Sequence, residues 1–306
     1  WTTTILNTVP IFTNTKDSPQ CKRVGDSTFV DLPHWPSATT AKAIRSYKNY
    51  LIALNVTKTS VEYTSMVKWS SPADPGEIPF TWDETDPTND AGEYSLTGDS
   101  GTVVDGVILK DSFIIYKESS VHQMTYTGGE YVFQFRQLFD DNGILAKNCA
   151  AEFDGKHFVV GLGDVYVHNG VQKQSVIQDK IKNYLFSQMR NDAIGSTFVL
   201  PDYNKQEMWV NFCSSDNNNL ADTSCDRAVV WNWRENTWTI RDVPSIACGA
   251  FGIVDPQTSD SWDEAVGSWD TDNSPWGEQA YNPSKRSLLL GSNVNTKVYK
   301  VGDSST

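Results

Sequence analysis

A short unit of antiparallel strands recurs along this chain, and the repeat sets its fold class. The clearest copy is Asp111–Phe139, where three short strands of alternating character are separated by two polar or glycine-containing turns. In other copies an aromatic residue, Met or Leu leads a run of β-branched or aliphatic residues. Such runs begin at Tyr50, Phe113, Phe158, Met208 and Leu288.

The repeat predicts about four strands per unit. A further strand precedes most of the runs, and one or two strands follow, at a period of roughly 45 residues. Units of this kind are typical of propeller blades, which bury their apolar faces only by stacking on neighbours. We therefore expect an all-β, single-domain β-propeller over residues 1–306, with five or more four-stranded antiparallel blades. The segment Trp1–Asp31 either completes a further blade or supplies a closing strand.

The aromatic residues indicate which side chains fill the space between blades. They make up 12% of the chain, with 11 Trp, and aromatic side chains suit pleated, half-buried surfaces. Two of the Trp residues near position 230 stand two apart and so share one face of a strand, with a third across a hairpin. The predicted core side chains are Phe113, Phe158, Trp209, Trp231, Trp233 and Trp238, together with Leu289.

Two segments depart from the repeat. Residues 175–190 have the apolar spacing of an inserted helix, with Ile177, Ile181 and Tyr184 on one face and Ser175 placed to cap its start. Residues 255–284 are rich in Trp and Asp. Carboxylates in this second segment can supply oxygen ligands to Ca²⁺, but the EF-hand pattern is missing, so a long surface loop is favoured.

The charge and the apolar pattern of the chain argue against nucleic acid and a membrane span as partners. The formal net charge is −13, from 38 acidic and 25 basic residues. A protein that grips nucleic acid needs basic patches, and none is visible here, so stable DNA or RNA binding is not expected. No run of 18 apolar residues occurs, so no membrane span is predicted. No secretory signal is visible, and a chain that starts at Trp1 without Met is expected to be a processed or partial product.

Residues that carry chemistry are few and unpatterned. His157 and His168 lie on successive strands, where a buried structural pair is favoured over a metal site. Cys213 and Cys225 flank a polar loop and can bridge its base, although free thiols are favoured because nothing else indicates an oxidising compartment. No nucleophile elbow, phosphate-binding loop or zinc motif occurs. We therefore predict no catalytic residue, no cofactor and no metal, and no enzyme activity.

Six longer stretches carry a family resemblance. They are Met66–Ser71, Trp82–Glu93, Asp111–Glu118, Glu152–Val160, Asp164–Gly170 and Asp226–Trp238. Together they resemble the virion structural proteins of short-tailed, podovirus-type bacteriophages, in the group of the tail nozzle or tail tubular protein B. The resemblance lies in the residue sequences of several motifs and covers roughly Tyr47 to Pro244.

The resemblance implies a structural role and a set of partners. It implies a subunit of the nozzle or distal tube of a tail, located in the virion after assembly in the host cytoplasm. The expected partners are copies of the chain in a ring, expected to be a hexamer, the portal or adaptor, and tail fibre or tip proteins. DNA would pass through the ring without stable binding, and no catalytic residue is carried over. The candidate subunit contacts are the irregular additions to the repeat: Ile177, Ile181, Tyr184, Trp262, Trp269 and Trp276.

Two other classes of function stay open from the residues alone. A glycan-binding or glycan-cleaving receptor-binding propeller would place Trp side chains along an open cleft with paired carboxylates. An interaction propeller of a host cell would behave as a monomer. Burial of the Trp side chains between blades, or their exposure in a cleft, separates the first of these from a structural role.

Overall fold

Five antiparallel sheets follow one another along the chain and form a ring, which confirms the β-propeller. The computed structural model describes residues 1–129, 131–217, 221–253 and 286–302. The first four sheets each have four strands, and the fifth is a four-stranded blade continued by two more strands. Each sheet is built from consecutive strands, so no strand crosses from one sheet to another.

The first three sheets contain strands β1 to β12. The first sheet has β1 (Thr2–Leu6), β2 (Val9–Thr13), β3 (Gln20–Cys21) and β4 (Val30–Asp31). The second has β5 (Thr39–Tyr47), β6 (Tyr50–Lys58), β7 (Val61–Trp69) and β8 (Gly92–Ser95). The third has β9 (Val103–Leu109), β10 (Ser112–Lys117), β11 (Val121–Tyr126) and β12 (Phe133–Phe139).

The last two sheets contain strands β13 to β22. The fourth sheet has β13 (Ala150–Phe153), β14 (Lys156–Val160), β15 (Val165–His168) and β16 (Lys173–Ser175). The fifth has β17 (Phe198–Asp202), β18 (Glu207–Phe212), β19 (Cys225–Asn232), β20 (Thr237–Ile253), β21 (Arg286–Ser292) and β22 (Val298–Lys300). Helix α1 (Asp179–Gln188) and a 3₁₀ turn (Asn191–Ser196) join these two sheets.

The turns follow from local sequence. Phe153 and Lys156 face each other across the β13–β14 hairpin, so Asp154 and Gly155 form a two-residue loop. Both have positive φ, 47° and 68°, as the favoured type I′ hairpin turn requires. An Asp-Gly pair between two alternating runs is the strongest short-range hairpin signal, and here it sets the register of the fourth sheet.

The fifth sheet corrects one detail of the predicted repeat. Strand β20 is 17 residues long, and its first half pairs with β19 while its second half pairs with β21. The run at Leu288 therefore lies in the same sheet as the run at Met208 and starts no separate sheet. Within β21, Leu288 and Leu290 are buried and Leu289 is only half-buried, so the predicted core position is shifted by one residue. The period of two in a strand makes that shift a change of face.

Apolar clusters fill the spaces between neighbouring sheets. One lies between the first and second sheets, and another lies between the second and third. The largest joins the third, fourth and fifth sheets. A fourth cluster lies inside the fifth sheet, between β17–β19 and the strands that follow the bend in β20. We call the second half of β20 with β21 and β22 the extension.

Most of the predicted core side chains lie in these clusters. Phe113 and Phe158 are fully buried, and Trp209 and Trp231 are nearly so. Trp231 stacks on Phe158, with ring centroids 5.4 Å apart, and on Trp238 at 6.0 Å. Trp238 and Trp233 are half-buried and pack against the edge of the same cluster.

The inserted helix is shorter than predicted. It begins at Asp179, and Gln178 at the N-cap position makes no side-chain capping bond. Ser175 ends β16, and its hydroxyl donates to Asp164 at 2.8 Å. The apolar spacing in residues 175–190 marked the helix correctly, but the first turn of that window is taken up by the sheet edge.

Candidate functional site

A large cavity lies on the inner side of the ring. It has a volume of about 1480 Å³ and is lined by the innermost strands of the five sheets, β1, β5, β9, β13 and β17, and by the second half of β20. One wall belongs to the first sheet, with Trp1, Phe12 and Phe29. The opposite wall belongs to the extension, with Cys248 and Asn293. We call the space between these two walls the seam.

Among the residues that the structure describes, no apolar cluster joins the first sheet to the fifth, whereas apolar clusters fill the other boundaries of the ring. The buried cluster of the first sheet includes residues of the second sheet only. Among the described residues, every hydrogen bond from the first sheet to another part of the chain goes to β5 or to the loop after β7. Within the described part of the chain, the first sheet is therefore held by the second sheet and by the loop after β7.

Arg45 ties several sheets together at the floor of this cavity. Its Nε and Nη2 atoms donate to the two carboxylate oxygens of Asp105, at 2.8 and 2.7 Å. Nη1 donates to the carbonyl of Thr3 at 2.9 Å, and Nη2 also donates to the side chain of Asn148 at 2.8 Å. The backbone N–H of Asn148 donates to Asp105 in turn. One guanidinium thus joins the first three sheets and the entry to the fourth.

The Arg45–Asp105 pair is a buried, two-pronged ion pair. The Asp105 side chain is fully buried and that of Arg45 is 16% exposed. Burial by itself would lower the pKa of Arg45, but the adjacent Asp105 carboxylate outweighs burial and raises the pKa above its ordinary value. All carboxylate oxygens have donors, which is the condition under which a buried pair stabilises a fold. Arg45 is therefore fully committed to the scaffold.

Three other charged side chains line the cavity without an ion-pair partner among the described residues. They are Lys110, Lys147 and Glu152. Lys147 donates to the carbonyl of Lys42 at 3.0 Å, and its pKa is lowered by burial, with Lys42 and Arg45 adding to the effect and Asp105 opposing it. Glu152 accepts from the backbone N–H of Gly155. Two cationic groups and one carboxylate are thus available to a ligand.

The two histidines singled out by the sequence form a structural pair, as predicted. The hydroxyl of Tyr116 lies between them, 2.7 Å from His157 Nδ1 and 2.6 Å from His168 Nε2. His157 Nε2 lies 2.8 Å from the carbonyl of Ile108, so that nitrogen donates. The N–H of Gly170 donates to His168 Nδ1 at 3.3 Å. These partners assign a one-way chain in which both rings are neutral.

Burial lowers the pKa of both histidines. It lowers the pKa of His157 to about 4, although the hydrogen bond that His157 donates to the carbonyl of Ile108 opposes this shift. It lowers the pKa of His168 to about 3, helped by His157 and Lys173. The lone pair on each Nδ1 already accepts a hydrogen bond, from Tyr116 at His157 and from Gly170 at His168. Protonation of either ring would break that bond, which agrees with the lowered pKa values.

Two further networks of ion pairs hold loops against the second and third sheets. Lys68, almost fully buried, pairs with Glu84 and with Glu93, which also bind Lys58. Fully buried Lys117 pairs with Asp99 at 2.5 Å. Burial alone would raise the pKa of both Glu84 and Asp99, but their hydrogen-bonded lysines and other donors lower each to about 2. Both networks are saturated within the fold.

The predicted subunit contacts divide into two groups. Ile177 was expected to face a neighbouring copy, and the structure corrects this: it is buried in the largest cluster. Ile181 and Tyr184 are half-buried against the same cluster, and the Tyr184 hydroxyl accepts from Arg227 at 3.0 Å. The apolar helix face closes the chain's own core because α1 covers the boundary of two sheets. Trp262, Trp269 and Trp276, with the loop over 255–284, lie outside the described residues.

The remaining sequence features have structural explanations. All five cysteines are free, including Cys213 and Cys225, and Cys248 alone is exposed. Asn55 of the sequon Asn55-Val56-Thr57 is 1% exposed and donates to the carbonyl of Val103, so it is closed to glycosylation in the folded protein. Among the described residues no group of three or more His, Cys, Asp and Glu is placed to hold a metal. The described helices include none with the length and apolar character needed to span a membrane.

The network around Arg45 was missed by sequence reasoning. Arg45 and Asp105 are 60 residues apart, and neither belongs to a motif. The available signal was Asp105, the single charged residue of the apolar strand β9, whereas Arg45 shares β5 with Lys42 and does not stand out. Such a residue in a buried strand needs a partner, but the sequence does not name it.

Comparison with known proteins reaches the fold only. No protein-family model and no curated protein matches the chain. Similar solved structures include a protein from Lactobacillus plantarum, with a TM-score of 0.48 and 8% identity over 98% of this chain and 83% of that one. A Synechocystis apocarotenoid oxygenase has a TM-score of 0.46 and 9% identity, over 98% of this chain and 65% of that one.

A third likeness is partial. The extracellular domain of a hybrid two-component system of B. thetaiotaomicron has a TM-score of 0.43 and 12% identity, over 69% of this chain. The chain spans 26% of the length of that protein and 65% of the oxygenase.

Proposed function

We propose that this chain is a structural subunit of a short bacteriophage tail, in the nozzle or distal tube, that assembles into a ring through which DNA leaves the particle. The six stretches that resemble this class of virion protein carry the proposal. They fall within the second to fifth sheets, on strands and on the turns and loops that join them. The proposal thus concerns the scaffold and involves no catalytic group.

A contact between two of these stretches supports treating them as one combined match to the family. Lys68, in the first, pairs with Glu84, in the second, and the lysine side chain is 2% exposed. A buried charge of this kind needs its partner in place. The two stretches therefore form one physical unit, which makes a match to both more specific than a match to either.

The burial of the indoles supports a scaffold over a sugar platform in the fifth sheet. Trp209 and Trp231 are about 3% and 5% exposed, and their faces are covered by neighbouring side chains. Among the described residues, the lining of the cavity at the seam contains a single carboxylate, Glu152, whereas hydrolysis of a glycosidic bond ordinarily needs two. We expect the purified protein to leave polysaccharides uncut, and turnover abolished by one carboxylate substitution would contradict this.

Contacts between copies have better candidates than the helix face. Several apolar side chains are more than half exposed, most of them in the turns between strands. They are Val24, Tyr131, Leu162, Val171, Val294 and Val298. A closed ring needs head-to-tail contacts between two different surfaces of each copy, and scattered patches of this kind supply them.

The oligomeric state is the first test. In native mass spectrometry the assembly should have a mass several times 34.2 kDa. Gold-labelled antibodies should then mark the tail of the corresponding particle in electron micrographs. A monomer that never associates with particles would instead favour the interaction propeller of a host cell.

DNA binding is the second test. With a net charge of −13 and no basic stripe, the ring should let DNA slide without holding it. Fluorescence anisotropy should find weak affinity at physiological salt, falling steeply as salt rises. Tight, salt-resistant binding would reject the sliding channel even if the ring itself is real.

A further inference from the structure

We propose that the outer edge of the third sheet, strand β12, is a self-association surface that pairs with β12 of a second copy of the chain. The two copies are related by a twofold axis, and their third sheets join into one continuous sheet. The inference is independent of the proposed ring, because the ring uses two different surfaces of each copy, whereas this contact joins one surface to itself.

Among the strands that the structure describes, β12 is the longest outermost strand of the five sheets. It has seven residues, whereas β4, β8, β16 and β22 have two, four, three and three. Proteins usually shorten such edges or place Lys and Pro on them, because a long edge offers free backbone groups to another chain. Strand β12 carries one charged residue, Arg136, and no proline, so it has little of this protection.

The register of β12 decides which of its backbone groups point away from the sheet. Thr127 donates its N–H to the carbonyl of Val132 at 3.0 Å, at the end of the β11–β12 hairpin. Hydrogen-bonded positions alternate along an antiparallel ladder, so the next ones on β12 are Gln134 and Arg136. The residues between them direct their N–H and C=O groups outward.

These outward residues have no backbone partner in the described part of the chain. They are Phe133, Phe135 and Gln137. The chain leaves the described part at Ile253 and re-enters it at Arg286, both in the fifth sheet. The fourth sheet lies between that sheet and the third. The outer edge of β12 therefore offers a row of unpaired donors and acceptors.

An aromatic stack beside the edge adds apolar surface. Tyr94 of β8 lies on Phe135, with ring centroids 4.5 Å apart and planes within 8° of parallel. Tyr94 is 49% exposed, and Phe135 is half-buried. Aromatic rings are enriched in contacts between proteins because they offer a large area and few rotatable bonds. In the proposed pair the stacks of the two copies lie side by side on one face of the joined sheet.

The sequence of β12 is complementary to itself in antiparallel pairing, which favours a second copy as the partner. In a pair centred on Phe135, every outward residue of one strand meets an outward residue of the other. Arg136 then lies opposite Gln134 of the second copy, so no like charges face each other. A pair centred on Arg136 would set two guanidinium groups opposite each other, which is unfavourable. A twofold contact requires this kind of self-complementarity.

Two opposite charges at exposed Gln134 give the first test. Gln134→Glu places a carboxylate opposite Arg136 of the second copy and should strengthen association about two- to fivefold, whereas Gln134→Arg should weaken it by a similar factor. The net charge of −13 by itself would produce the opposite order, because an added acid increases repulsion between copies. Sedimentation equilibrium at up to about 100 μM protein measures association, since contacts below about 1200 Å² are usually weak.

The second test blocks the backbone of the edge. Gln137→Pro removes an outward N–H that β11 does not use, and it should weaken association at least about tenfold. Gln137→Thr keeps that N–H and suits a strand, so it is the matched control and should associate like the wild type. Circular dichroism checks that both variants are folded.

Hydrogen exchange locates the contact. The amides of Phe133, Phe135 and Gln137 should exchange quickly in dilute protein and become protected in concentrated protein, whereas those of Gln134 and Arg136 should be protected in both. The proposal is overturned if the outward amides are protected in the dilute monomer, or if the two Gln134 variants change association in the same direction. A larger assembly in which the outward amides stay unprotected would also overturn it, and would leave the ring to other surfaces.

Discussion

Two places where neighbouring sheets meet differ in how far side chains fill the space between them. One is the boundary of the third, fourth and fifth sheets, and the other is the seam. At the first, Phe158, Trp231 and their neighbours fill the space, and α1 covers its edge. At the seam, the described residues leave a cavity of about 1480 Å³. Apolar side chains thus fill most boundaries of the ring, and among the described residues they do not fill the one between the first and fifth sheets. Four predictions test this division.

The largest effect is expected from breaking the Arg45 network. Asp105→Ala leaves a buried guanidinium without its counter-charge, so the free energy of unfolding should fall by about 3–5 kcal/mol. Glu62→Ala, which removes the exposed partner of Lys42, is the control and should cost about 1 kcal/mol or less. Urea denaturation measures both. Equal losses would mean that the pair at Arg45 behaves as a surface pair.

The next effect contrasts an aromatic side chain from each region. Trp231→Ala removes a ring stacked between Phe158 and Trp238 and should cost about 3–5 kcal/mol. Phe29→Ala, on the seam, should cost about 1 kcal/mol or less, because the ring is 42% exposed. Thermal unfolding followed by calorimetry compares them. A Trp231→Ala protein with wild-type stability would show that the cluster is not closely packed.

A smaller, pH-dependent effect belongs to the histidine pair. His157 and His168 have pKa values of about 4 and 3 in the fold, against an ordinary value of 6.5. The unfolded chain therefore binds more protons in this range, and the stabilisation is complete above pH 6.5 and is lost as pH falls toward 3–4. Unfolding free energies at pH 7 and 5.5 should differ in the wild type. The double variant His157→Gln, His168→Gln should show a flatter profile over this interval.

The pH interval distinguishes the histidines from the carboxylates. Glu84 and Asp99, lowered from 4.5 and 3.8 to about 2, lose their contribution only at lower pH. Tyr116→Phe removes the hydroxyl between the rings and should cost about 1–3 kcal/mol at pH 7. A wild-type profile that is flat from pH 7 to 5.5 would contradict the buried neutral pair.

The smallest effect concerns the thiols and needs no mutation. Cys248 is exposed on the wall of the seam, whereas burial raises the pKa of Cys149 and Cys225 well above the ordinary value. A thiol reagent should therefore modify one cysteine quickly in the native protein and the others only on unfolding. Mass spectrometry of the peptides identifies the site. Rapid labelling of Cys149 would mean that the filled boundary opens readily.

The local features of the fold were predictable from sequence. Alternating runs and Asp-Gly turns specified β13 and β14, and the apolar spacing specified a helix near residue 180. These signals act over a few residues, where hydrogen-bonding pattern and φ angles are set by the residues themselves. The same signals could not show that β20 continues past its bend into the extension, because pairing with β21 is decided far along the chain.

The candidate site was not predictable in the same way. Its lining comes from strands of all five sheets, which are far apart in the sequence. Ile177 illustrates the converse: an apolar helix face was interpreted as a surface for a partner, although it covers the chain's own core. Amphipathic spacing identifies a buried face but does not identify what buries it.

The order of the sheets along the chain has a consequence for synthesis on the ribosome. Each sheet is complete within one continuous stretch and packs on the sheet made just before it, and the described hydrogen bonds of the first sheet go to β5 and the loop after β7. No early strand has to wait for a late one, so loop closure never spans the whole chain. The nascent protein can gain its blades one after another as they emerge, and the open seam is the place where such a sequential assembly stops.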